Sequence, residues 1–194
     1  MSISQPGTRT LTELVEIRRS TLKPEQIPDD ARYVGLEHIE SGTGTLTSEL
    51  ASAANLRSAK NRFETGDVLF GKLRPNLRKA AVAPFSGVCS TDILVLRPLI
   101  PGLAHLIALQ LRSAAMLPTY ERLVAGANLP RLSARDLSSM EVWVPDPLAT
   151  ERLEARAQTV SALRSAVRQL ARDVDELEST LAARLSQGIR LSVS

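Results

Sequence analysis

The densest run of positive charge lies between Arg57 and Lys79, where Arg57, Lys60, Arg62, Lys72, Arg74, Arg78 and Lys79 set seven cations against two carboxylates, Glu64 and Asp67. This local excess is larger than that of the whole chain, whose formal net charge of +3 implies no nucleic acid by itself. Cations clustered on a loop-rich surface are what neutralising a row of phosphates requires. Arg and Asn also match the hydrogen-bonding edges of guanine and adenine. Arg57, Lys60, Asn61 and Arg62 form one polar segment able to supply such readers, and Asn128 and Arg131 form a second. Lys72, Arg74, Arg78 and Lys79 lie on or beside RPNLR, a connection between two strand-like runs, which suits contacts to a nucleic-acid backbone. Charge alone reads equally as an ordinary solvated basic face, and Asn76 serves equally to stabilise its own turn after Pro75.

Other chemistry is poorly represented. His38 and His105 lie far apart in sequence, and a packed or surface role is expected of His105. Cys89, in VCSTD, reads as a small buried thiol in a strand rather than a nucleophile. No His, Cys, Asp and Glu cluster at metal-ligand spacing stands out. SGTGT around Gly42 and Gly44 is a short turn, there is no GxxxxGK[ST] phosphate loop, and neither a nuclease-type Pro-Asp with Glu-x-Lys nor an Asn-Pro-Pro-aromatic methylase motif occurs. The sequence reads as a binder with no catalytic, cofactor or metal residues of its own.

Composition sets the frame. The 194 residues suffice for one ordinary domain with an appendage. With 43% hydrophobic and 23% charged residues a core forms, and 3% aromatics argues against a stacking platform for single strands. A single cysteine, no apolar stretch of membrane-spanning length and an amino terminus without an apolar core predict a cytoplasmic protein that spans no membrane.

The elements fall into two regimes divided at Pro145, Asp146 and Pro147. Before the break, Leu11, Leu14, Val15 and Arg18 form a helical stripe, and Tyr33–Ile39 reads as a strand. Gly66–Leu73, Lys79–Phe85 and Thr91–Pro98 are strand-like, Leu103–Arg112 has helical leucine spacing, and a short helix near Ser133–Ser139 precedes a strand, MEVWVP. Leu36, Leu69, Leu94 and Trp143 are expected in the core. Strands and helices mix without regular alternation, which predicts an α+β domain.

After the break no Pro or Gly occurs until Gly188. Asp146 is a suitable N-cap, Pro147 a suitable first helical residue and Gly188 a suitable stop. Val160, Leu163, Val167, Leu170, Val174, Leu177 and Leu181 alternate gaps of three and four, a heptad with valine and Leu181 at a and leucine at d. Such a helix either finds a partner or folds back on its own domain. Val at a with Leu at d suits a parallel dimer, whereas an antiparallel one can oppose Arg164 to the partner copy's Glu178, and exposed charges are too weak to decide.

Three segments in order, YVGLEHIESGTG from Tyr33, FETGDVLFGKLRPNLRKAAVAPFSGVCSTDILVLRP from Phe63, and AGANLPRLSARDLSSMEVWVPDPLATERLEARAQTVSAL from Ala125, closely resemble the specificity (S) subunit of type I restriction-modification systems. The likeness covers nearly the whole chain up to the coil. Where the family has a Gly-Thr-Thr-x-Pro-Arg-like stretch, Gly126, Ala127, Asn128 and Leu129 precede Pro130 and Arg131 without its hydroxyls.

The resemblance implies an α+β, mixed-sheet target recognition domain over residues 1–146 that binds double-stranded DNA, a coiled-coil dimerisation and spacer helix over 147–188, and a tail at 189–194. A full subunit of the family carries two such halves with antiparallel helices, so one half resembles a half-size form. Two copies would then pair antiparallel through Val160 to Leu181, each copy binding one half-site of a bipartite target. A homodimer implies two inverted copies of one half-site, and pairing with another half-size S subunit implies two unlike ones. Adenine methylation with S-adenosylmethionine belongs in the family to a methylase (M) subunit, and cleavage with ATP to a restriction (R) subunit. No cofactor is therefore expected on this chain. A stand-alone DNA-binding regulator or decoy without methylase partners is the alternative.

Overall fold

The computed structural model describes residues 5–192, which divide into two compact units with the boundary after Gln158. The first unit begins with β1 (Gly7–Thr10), α1 (Leu11–Leu14), β2 (Val15–Arg18), β3 (Thr21–Leu22), β4 (Arg32–Val34) and β5 (Glu49–Leu50). It continues through β6 (Lys60–Phe63), β7 (Val68–Gly71), β8 (Ala80–Val82), β9 (Gly87–Cys89) and β10 (Ile93–Pro98). Then come α2 (Ala104–Leu111), α3 (Leu117–Leu123), α4 (Ala134–Ser138) and β11 (Glu141–Val144), before α5 (Pro147–Ser192) carries the chain into the second unit. The class is α+β, as expected.

An antiparallel sheet in the order β2-β10-β7-β8 is buried on both faces. Because strand side chains alternate, Val68, Phe70, Ala80 and Leu96 enter a core built with α1, α2, Tyr120, Leu137 and Val142. Leu69, Ala81, Ile93 and Val95 enter a second core with Val34, Ile39, Phe63 and Cys89, beneath a mixed sheet in the order β3-β6-β9-β4-β5. Burial on both faces explains why the VLF and ILVL runs show no polar alternation. The Gly66–Asp67 turn that opens β7 is fixed electrostatically: Asp67, 2% exposed, takes two hydrogen bonds from Arg97 of β10, at 2.9 and 3.0 Å, and one from the Glu64 amide at 2.8 Å.

Three elements differ from their sequence patterns. The Leu11–Arg18 stripe is helical only to Leu14; β-branched Val15 and Ile17 suit a strand, and β2 pairs with β10. The Tyr33–Ile39 run is a strand only to Val34. Residues Leu36–His38 then form a 3-10 turn in which His38 Nδ1 accepts the Gly35 N–H at 2.8 Å. Trp143, expected in the core, is 53% exposed, because Val142 and Val144 take the inward positions of β11. Leu69 is fully buried, and Leu36 and Leu94 are partly buried, as expected.

α5 starts where its signals put it: Asp146 Oδ1 accepts the Ala149 N–H at 2.9 Å. It continues past Gly188 to Ser192; one glycine with no proline after it costs a helix only about 1 kcal/mol. The first turns belong to the first unit. There Glu154 accepts the backbone N–H groups of His105 and Leu106, each at 2.9 Å, and meets His105 Nδ1 at 2.9 Å. A carboxylate thus satisfies the open N–H groups at the start of α2. In the second unit Val160, Leu163, Val167, Leu170, Val174, Leu177 and Leu181 are all exposed, between 46% and 68%.

Burial pushes the Glu154 carboxyl up, but the hydrogen bonds from the His105 ring, the His105 amide and the Leu106 amide outweigh it and hold the group below its ordinary value near 4.5. A depressed carboxylate stabilises the fold fully above its unfolded value and loses that contribution as pH falls through the folded one. Glu154→Gln is therefore expected to cost about 1–3 kcal/mol at pH 7. The gap between wild type and variant should narrow below about pH 4.5 in thermal denaturation followed by circular dichroism. A gap of constant size down to pH 3 would contradict this role.

Candidate nucleic-acid interface

The chain leaves β7 at Gly71 and returns at Ala80, and the connection between them is held from outside by a segment distant in sequence. Leu73 pairs with Arg131 as an antiparallel bridge. The Arg74 N–H donates to the Pro130 carbonyl at 2.8 Å, and the Leu132 N–H to the Lys72 carbonyl at 2.9 Å. Arg74 and Arg78 then take left-handed backbone conformations, φ 50° and 52°, on either side of a 3-10 turn at Pro75–Leu77. Such a conformation is unfavourable for a side-chain-bearing residue and persists where its surroundings determine it. Two of the segments singled out by their residue types, Lys72–Lys79 and Asn128–Arg131, therefore form one surface.

Their side chains divide by direction. Arg74 and Asn128 are exposed and Lys72 is half-buried. Arg131, with its side chain 48% exposed, is paired at 2.9 Å with Asp92. Arg78 and Lys79 turn inward: Arg78 Nη1 donates to the Arg112 carbonyl at 3.2 Å, and Lys79 Nζ to the Leu36 carbonyl at 2.7 Å. The SGTGT turn closes over this pair. Gly42 (φ +71°) lies against the Arg78 guanidinium, and a Cβ on Gly44 (φ +69°) would come within 2.4 Å of the Ala80 carbonyl oxygen. Beside the joined loops, Asn76, Tyr120, Glu121, Val124, Ala127 and Pro130 line an open cleft of about 290 Å³.

The other predicted segment, Arg57 to Arg62, is split by β6. Arg57 and Arg62 are exposed. Lys60 is not presented as a reader: it is 7% exposed, its ammonium donates to the Ser58 carbonyl at 2.7 Å and hydroxyl at 2.8 Å and lies 5.9 Å from the Tyr33 ring centre, and burial lowers its pKa. Asn61 is committed as well. Its amide donates to the Ile93 carbonyl at 3.1 Å and accepts from the Thr21 hydroxyl at 3.3 Å. Ile93 pairs with Gly71, so Asn61 is tied to the base of the cationic loop.

Cys89 is fully buried and its thiol is pushed up to about 12, first by burial and then by the Asp67 charge. Among the described residues, Glu37, His38 and Glu49 bring donor atoms within 4.8 Å of one another. The Gly35 N–H bond to His38 Nδ1 leaves the ring proton on Nε2, 3.8 Å from Glu49, so that neither ring nitrogen offers a lone pair to a metal. Asp92 was not found by sequence reasoning: a lone carboxylate in a strand-like run carries no signal until folding places it beside Arg131.

No family model matches the chain. The type I restriction enzyme EcoDI specificity subunit from Escherichia coli is 27% identical over 143 residues, 73% of this chain and 31% of the relative. The fold is similar to the solved HsdS subunit from Thermoanaerobacter tengcongensis (TM-score 0.62, 22% identity, 91% of this chain and 47% of that one). It is also similar to a chain of a solved type I R-M system (TM-score 0.61, 23% identity, 93% and 47%) and to the type I S subunit from M. genitalium (TM-score 0.56, 16% identity, 87% and 41%). The chain thus spans about a third of the curated relative it matches and about half of the solved chains. The resemblance to type I specificity subunits holds in sequence, and the fold is theirs.

Proposed function

We propose that this chain, a relative of the type I specificity subunits in sequence and fold, is a non-catalytic DNA-sequence-recognition component of a type I restriction-modification complex, binding one half-site of a bipartite target per copy. The observation that carries this reading is the joined loop surface. Lys72, Arg74, Asn128 and Arg131 come from two distant segments held together by backbone hydrogen bonds, on a fold matched by specificity subunits. Fixed cations position a duplex through its phosphates, and side chains of the Arg and Asn type specify bases.

In this function two copies pair antiparallel through the exposed Val160–Leu181 seam and present their recognition domains in inverted orientation. The exposure of all seven seam residues supports a partner, because a long apolar stripe in water marks an interaction surface. Methylation with S-adenosylmethionine and cleavage with ATP fall to M and R subunits that the complex recruits, and no cofactor binds here.

Replacing Lys72 and Arg74 together by Glu is expected to weaken duplex binding across all sequences. It should also make the dependence of log affinity on log salt shallower by about 0.9 for each phosphate that the variant no longer neutralises. Fluorescence anisotropy across a salt series measures both, and an unchanged affinity and slope would mean that this surface does not meet DNA.

Replacing Leu170 and Leu177 together by Glu puts charge into two successive d layers of the seam, on either side of Val174. Sedimentation should then show monomers where the wild type gives dimers, with the circular-dichroism signal of the recognition domain retained. A double variant that still sediments as a dimer would place the interface elsewhere.

A further inference from the structure

A carboxylate sits in the middle of the cationic surface. Asp92 Oδ1 lies 2.9 Å from Arg131 Nη2, with the two side chains 28% and 48% exposed. Both partners are pinned through their backbones to the same short stretch. The Lys72 N–H donates to the Asp92 carbonyl at 2.9 Å, Ile93 is in register with Gly71, Arg131 bridges Leu73, and the Leu132 N–H donates to the Lys72 carbonyl. The Asp92 amide is occupied in turn by the Ser90 hydroxyl at 3.2 Å.

Energetics do not explain this carboxylate. A half-exposed ion pair contributes little to stability, since solvent screens it and ordering two side chains offsets the attraction. On a surface that attracts phosphates, a negative charge beside Arg131 also works against binding. What the pair does accomplish is geometric. An arginine on a loop samples many rotamers, whereas one whose Nη2 is held by a fixed carboxylate presents its remaining donors in one direction. Five N–H donors in a planar fork leave an edge open beside the ion pair with Asp92, and such an edge matches the O6 and N7 acceptors of guanine.

We propose that Asp92 is a positioning residue that holds Arg131 ready to read a guanine in the major groove. The proposal rests on the DNA-recognition function above and adds to it the assignment of one base-reading arginine and of the carboxylate that aims it. Affinity and specificity then move in opposite directions when the carboxylate is neutralised. Asp92→Asn removes a charge that repels phosphates and keeps the backbone carbonyl that accepts the Lys72 N–H. It loosens Arg131 without removing it.

The test begins with selection of preferred sites by the wild-type chain from a pool of duplexes with a randomised stretch. Affinities of variants for the selected duplex and for a scrambled one of equal length follow. For Asp92→Asn, affinity for scrambled DNA should stay level or rise, while the ratio of selected to scrambled affinity falls roughly tenfold, the scale of one bidentate base pairing. On repeating the selection with the variant, the loss should concentrate at one G·C position, and Arg131→Lys should lose preference at that same position. Lys72→Gln should lower both affinities and leave the ratio in place, as a phosphate contact does. An unchanged ratio in Asp92→Asn, or a loss spread evenly over all positions, overturns the assignment while leaving DNA recognition intact. A wild-type chain that enriches no sequence overturns both.

Discussion

Two backbone hydrogen bonds, from Arg74 N–H to the Pro130 carbonyl and from Leu132 N–H to the Lys72 carbonyl, join two distant basic loops into one surface. Without them the connection after β7 is a basic loop with two left-handed residues and no reason to keep them, and the Ala125–Arg131 stretch is a separate loop. With them the two become one surface whose cations have fixed origins. The arrangement is supported from behind. Pro75 is buried, Leu132 is fully buried in the helical core, and Ser133 starts α4 with a capping box in which its hydroxyl and amide engage Asp136 at 2.6 and 3.1 Å. These bonds hold the Asp136 carboxyl below its ordinary range. The loop is therefore anchored on a capped helix and a packed proline, which is what a binding surface needs if association is not to bear the cost of ordering it again.

Net charge conceals how these cations are used. Lys60, Arg78, Lys79 and Arg97 all commit their charged ends to the protein's own carbonyls, hydroxyls or carboxylates. Long basic side chains cover apolar surface with their stems while their heads find acceptors, so a basic stretch of sequence contains frame and surface in unknown proportion. Here the division follows the strand edges. Next to β8, Arg78 turns in toward the end of α2 and the SGTGT turn and Lys79 toward the Leu36 carbonyl, whereas residues next to the Pro130 bridge remain outside.

What was legible in the sequence was whatever depends on local pattern. The heptad from Val160 to Leu181 needs no tertiary information, and the VLF and ILVL runs declare strands because both faces of their sheet are buried. The capped start of α5 follows from Asp146 and Pro147, and a short helix near Ser133–Ser139 was readable without its cap. What was not legible depends on partners distant in the chain. Val15 and Arg18 fit a helical stripe until β10 claims them as a strand. Trp143 looks like core until the alternation of β11 assigns the inward positions to two valines. Lys60 reads as a loop cation until β6 withdraws it, and Asp92 is one carboxylate among many until Arg131 arrives beside it.

The two units answer different physical demands. Under the proposed function, recognition needs side chains held in place, and the first unit supplies this with two cores and a doubly covered sheet. Under the proposed function, spacing needs a length that does not vary, and a helix without Gly or Pro from Leu148 to Gln187 supplies this, since its rise per residue is set by backbone hydrogen bonds rather than by packing. The join between the two demands is made inside the first unit. Glu154 binds the root of α5 to the first N–H groups of α2, so the opening turns of the helix are committed to the core of the first unit.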